Sequence, residues 1–125
     1  MEIQIIGNLA DIVQVNTAIG CFRGIWCTPK PVVFKRYIVE LDCDDVLALD
    51  AVEFSNSCDP CIECVDNAVY INGFVEEIQD AVMVLRLQKS LMMLELSPGL
   101  DFVPYVNHYV RIRLSEIKIY DTGIY

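Results

Sequence analysis

The pattern that most limits this chain is short-range alternation of apolar and polar residues with almost no helical period. Residues 82–87 and 91–96 read as two strands joined by Gln88-Lys89-Ser90, and Pro98-Gly99 ends the pair. Between residues 32 and 43, Val33, Tyr37, Val39, Leu41 and Cys43 share one parity, interrupted by Lys35. Arg36, Glu40 and Asp42 share the other with Phe34 and Ile38. Period two with charges on one side predicts a half-buried strand. From 109 to 120 the apolar parity is even at Val110, Ile112 and Leu114, then odd at Ile117 and Ile119. Inside one strand such a flip needs an extra residue, so a bulge is expected near Ser115-Glu116.

The other segments are weaker. Residues 2–15, rich in Ile and Val and broken at Gly7-Asn8, read as two short strands. Residues 16–31 read as a loop, because Gly20, Gly24, Pro29 and Pro31 recur there. Trp26 inside that loop either anchors an interface or packs the loop onto the core. Residues 44–54 are a short helix capped by Asp44 or Asp45, or a strand. Residues 55–66 read as an exposed loop. Asn72-Gly73, between apolar runs 69–71 and 74–78, predicts a type I′ hairpin turn. The terminal 120–125 segment is expected to close the sheet, and no internal repeat is evident.

At 125 residues the chain suits a single domain, 1–125, able to bury roughly two-thirds of its unfolded surface without disulfides or metal. The expected fold is all-β or β-rich α+β. A small antiparallel barrel or half-barrel, OB-like, with at most one or two short helices fits best. No apolar run reaches the roughly 20 residues of a membrane span, and no signal-peptide pattern opens the chain. A cytoplasmic location is the expectation.

The charges are unevenly placed. The formal net charge is -9. From Tyr37 to Leu85 there is no Lys or Arg, yet this stretch carries Glu40, Asp42, Asp44, Asp45, Asp50, Glu53, Asp59, Glu63, Asp66, Glu76, Glu77 and Asp80. Direct nucleic-acid binding is disfavoured, because phosphate contacts need clustered cations. The stretch is either a solvated acidic face or a docking surface for a basic protein. A calcium site at Asp42-Cys43-Asp44-Asp45 is a third reading, without the glycine and distal Glu of an EF-hand loop.

Cys58-Asp-Pro-Cys61-Ile-Glu-Cys64 carries two successive C-x-x-C spacings, which can direct three thiolates at one Zn or Fe ion. Cys21, Cys27, Cys43 or His108 would have to supply a fourth ligand. A redox dithiol is disfavoured by the acidic flanks, and free thiols of a reducing compartment are the plain alternative. His108 is the only histidine and reads as a surface turn residue. No nucleophile elbow, P-loop or dinucleotide fingerprint is present, so a non-enzymatic role without a cofactor is expected.

The succession 70–78, 84–87, 91–96 and 109–120, with Arg36-Tyr-Ile-Val-Glu-Leu-Asp42 before it, resembles an OB-like or half-barrel sheet. It is similar in style to small β-rich immunity proteins of bacterial polymorphic-toxin and contact-dependent inhibition systems. That resemblance implies a protein that neutralises a nuclease toxin by covering its active site, and it transfers no individual residue. The Cys58–Cys64 cluster is not part of it.

Overall fold

The alternating runs become strands, and the chain follows one path twice. The computed structural model describes residues 1–28 and 31–123. In the first pass β1 (Glu2–Leu9), β2 (Ile12–Thr17) and β3 (Gly20–Trp26) form an antiparallel meander. β4 (Arg36–Asp42) returns to pair with β1, and the short β5 (Val46–Leu47) leads away. β6 (Val52–Phe54) and β7 (Cys61–Val65) intervene. The second pass then repeats the route. β8 (Ala68–Gln79), β9 (Val82–Leu87) and β10 (Ser90–Leu96) form the meander. β11 (Tyr109–Leu114) returns to β8, and β12 (Lys118–Asp121) leads away.

The agreement extends to detail. Both meanders carry a bulge at the same place, between Ile5 and Gly7 and between Val75 and Glu77. Both then reverse at a residue with positive φ, Ala10 (55°) and Asp80 (52°). The closing strands are exchanged between passes. β12 lies parallel on β3, with Lys118 opposite Ile25, and β5 lies parallel on β10, with Val46 opposite Glu95. The closed barrel β1-β2-β3-β12-β4 therefore takes one stave from the second pass. The second sheet, β5-β10-β9-β8-β11-β6 with β7 beside β8, takes β5 from the first pass and β6 and β7 from the chain between the passes. A repeat is thus present in topology although none is evident in sequence.

A small β-rich barrel fold is what the alternation implies, and it is what forms. Several local expectations change. Residues 16–31 are not one loop, since β2 runs to Thr17 and β3 occupies Gly20–Trp26. Gly20 and Gly24 are strand glycines that admit close neighbours. A Cβ on Gly24 would come within 2.9 Å of the Ile117 carbonyl, and one on Gly20 (φ 139°) would overlap the Ile62 carbonyl. Asn72-Gly73 is no turn, for it lies inside β8. The reversal comes earlier, at Asp66 and Asn67 (φ 49° and 66°). Gly73 is needed there because a Cβ would press on the Arg86 carbonyl at 2.9 Å.

The parity flip after Leu114 is not a bulge. β11 ends there and β12 begins at Lys118 in the other sheet, so the buried parity changes when the chain changes sheets. Residues 44–54 are neither one helix nor one strand, but β5, a single 3-10 turn at Leu49–Ala51, and β6. Residues 55–66 end in β7; Gly7-Asn8 pair within β1 just past its bulge, and the break between β1 and β2 falls at Ala10-Asp11. Pro29 and Tyr125 lie outside the described residues.

One apolar cluster spans both sheets: Ile5, Phe22 and Val39 of the barrel belong with Val75, Leu85 and Leu94 of the second sheet. Each such side chain contributes about 1.5–3 kcal/mol on burial. No helix among the described residues is long and apolar enough to cross a membrane.

Candidate functional site: an acidic groove between the two sheets

β4 and β10 run beside each other where the two sheets meet. A groove of about 600 Å³ between them is lined by Glu40, Leu41, Asp42, Leu91, Met93 and Tyr120. It continues at one end past Asp44, Asp80 and Glu95, and at the other past Met1 and Lys89. Its floor is apolar and open to solvent: Leu91 is 47% exposed, Met93 60% and Tyr120 37%. Its rim is acidic. Strand alternation explains this. On β4 Tyr37, Val39 and Leu41 face the core, which sends Glu40 and Asp42 outward. On β10 Met92, Leu94 and Leu96 face the core, which leaves Leu91, Met93 and Glu95 outside.

The twelve acids of the cation-free stretch do not form one surface. Glu40, Asp42, Asp44 and Asp80 gather at the groove, and Asp44 pairs with Lys118, whose ammonium is held charged chiefly by that bond. Asp45 accepts the Ser115 backbone N–H at 2.8 Å and its hydroxyl at 2.6 Å, pinning the link between β11 and β12. Glu63 pairs with Arg111 at 3.2 Å and Glu76 with Arg86. Asp50, Glu53, Asp59, Asp66 and Glu77 are exposed elsewhere. Glu95, outside the cation-free stretch, belongs to the groove and was missed. So were Leu91, Met93 and Tyr120. The signal for the first two is in the sequence, where Leu91-Met92-Met93-Leu94 is apolar on both faces of one strand.

Of the two readings of Trp26, packing onto the core is the one its burial fits. Trp26 is 5% exposed, on the inward parity of β3, with its ring edge-on to Tyr37 at 4.8 Å. The cysteines scatter. Cys58 is exposed in the loop before β7, while Cys61 and Cys64, three apart on β7, project to opposite faces. Among the described residues no three His, Cys, Asp or Glu side chains are grouped to hold a metal. The Cys64 sulfur accepts the Arg23 backbone N–H at 3.3 Å. Burial, then Glu63, pushes the Cys61 thiol up against the opposing pull of Arg111. Burial likewise pushes the Cys43 thiol up to about 11, against its hydrogen bond to the Asp45 carbonyl and with the added charges of Asp45, Asp42 and Asp44. His108 is exposed, its Nδ1 3.0 Å from the Val106 carbonyl and its ring edge-on to Phe54.

Asn72, at 8% exposure, is the one buried polar residue among those described. Its amide donates to the carbonyls of Ser57 (3.1 Å) and Asp59 (2.9 Å), tying the Cys58 loop to β8. No protein-family model matches the chain, and neither a curated protein nor a solved structure matches it.

Proposed function

We propose that the protein is a non-catalytic binding protein that neutralises a basic partner, with the groove between β4 and β10 as its contact surface. One observation carries this reading. Exposed Leu91, Met93 and Tyr120 sit together under a rim of Glu40, Asp42 and Glu95. Apolar floor supplies the burial that holds a complex, and a rim of one charge sign speeds and orients encounter with a partner of the other. The resemblance to immunity proteins makes the partner a nuclease toxin domain, whose catalytic Lys and Arg the rim would engage. Location in the cytoplasm goes with that role.

The test is capture from host lysate with the tagged protein and with a Glu40→Lys, Asp42→Lys variant, each washed at low and high salt. The expected result is a basic protein held by the native chain, released by salt and not held by the variant. Its nuclease activity should fall when the native chain is added back. Capture that ignores salt, or that the variant performs equally well, overturns the reading.

A further inference from the structure

We infer that the occupant of the groove is an extended basic segment, which adds as a strand along the open edge of β10; this rests on the binding role proposed above and specifies its mode. The backbone gives the first reason. Leu96 donates its N–H to the Ala81 carbonyl on the β9 side, and Ser97 donates to the Leu47 carbonyl on the β5 side. Alternation then turns the N–H and C=O of Leu91 and Met93 to the β5 side. β5 is too short to reach them, because it pairs only with Glu95 and Leu96. Among the described residues these groups have no strand partner, and they form an edge at the groove of the kind that strand addition uses.

The first pass gives the second reason. Its counterpart edge lies on β3, where β12 likewise pairs only with Ile25 and Trp26. There the edge is covered by β7. Ile62 donates its N–H to the Ile19 carbonyl at 3.0 Å, and Arg23 donates its own to Cys64. Gly20 lets Ile62 approach closely. The protein thus fills one of its two equivalent edges with an extended segment of its own. Among the described residues no strand lies on the β10 edge as β7 lies on the β3 edge, and β5 reaches only Glu95 and Leu96.

Charge and exposure specify the segment. Glu40, Asp42 and Glu95 call for Lys or Arg on the alternate positions nearest the rim. Leu91, Met93 and Tyr120 call for apolar side chains between them. A second copy of this chain is a poor occupant, because its net charge of -9 would bring acid against acid.

The test uses three synthetic peptides on the intact protein: alternating Lys-Val-Lys-Leu-Lys-Val-Lys, the same sequence N-methylated at alternate amides, and a Lys/Leu peptide of equal charge patterned as a helix. Binding is followed by amide chemical shifts and hydrogen exchange at low salt. The expected result is binding of the alternating peptide with slowed exchange at the Leu91 and Met93 amides. N-methylation and the Glu40→Lys, Asp42→Lys variant should each weaken it at least about tenfold. Equal binding of the N-methylated or helical peptide overturns strand addition and leaves the basic-partner reading standing. Binding of no basic peptide, together with failure of the salt-dependent capture above, overturns both.

Discussion

The two passes of the chain share a path and differ in how they end. The β3 edge of the first is sealed by β7, and the β10 edge of the second is left open beside an acidic rim. A duplicated architecture need not keep duplicated surfaces. Where the edge is sealed, the demands are steric: Gly20, Gly24 and a carbonyl at contact distance. Where it is open, the demands are of charge and exposure, and the residues there are ones that stability alone would not select.

The sharpest way to break this comparison is to substitute the paired positions Gly20 and Ser90, each the first residue of its meander's third strand. Gly20→Val places a Cβ on the Ile62 carbonyl and forces a β-branched residue to φ 139°. A loss of about 3–4 kcal/mol is expected in urea unfolding, with β7 amides exchanging faster. Ser90→Val, on the open edge, should stay within about 0.5 kcal/mol of the native chain. Equal costs would mean that both edges are covered alike. The next pair is Asn72, inside β8, and Glu2, at the start of β1, which lie three residues before the matching bulge positions Val75 and Ile5. Asn72→Ala strips the Ser57 and Asp59 carbonyls of their donor and should cost about 2 kcal/mol. It should also free the Cys58 loop for proteolysis. Glu2→Ala loses only a surface pair with Arg36, worth about 0.5 kcal/mol or less.

These positions also mark what the sequence made legible. Period-two parity identified the core faces of β4 and β11, because one-sided burial leaves its trace in every second residue. Glycine misled twice. Gly20 and Gly73 read as chain breakers, but each is a strand residue whose missing side chain admits a backbone from elsewhere. That neighbour is distant in sequence, so no local rule could find it. The parity flip after Leu114 was visible and its cause was not, since a change of sheet and a bulge leave the same pattern. The acidic stretch was legible as a composition. Its division into groove acids and internally bonded acids depends on Ser115, Arg111 and Lys118, whose approach only the topology decides.

A smaller effect is expected where β4 leaves the groove. The Cys43 thiol, raised from 9.0 to about 11 by burial, is favoured protonated in the folded chain. Its contribution to stability is therefore complete below pH 9 and is lost as the pH climbs toward 11. Cys43 is only half buried, so the loss is about 1 kcal/mol at most after allowance for solvent screening. Denaturation midpoints between pH 8 and about 11 should fall less steeply in Cys43→Ala than in the native chain. Parallel slopes would place the alkaline loss elsewhere.

The smallest expected effect divides the acids by their use. Asp45 holds Ser115 by two hydrogen bonds, so Asp45→Ala should destabilise the fold by about 1 kcal/mol or more at any ionic strength. Glu40 and Asp42 make no ion pair among the described residues and stand close to Asp44 along one groove. Neutralising them as Glu40→Gln and Asp42→Asn should stabilise the chain by a few tenths, about 0.3 kcal/mol, through relief of repulsion. Salt should erase that gain, because exposed charges are screened over about 10 Å at 0.1 M. A destabilisation that persists in salt would make the groove acids structural. The opposite sign, gained stability with lost partner binding, is what a surface kept acidic for recognition requires.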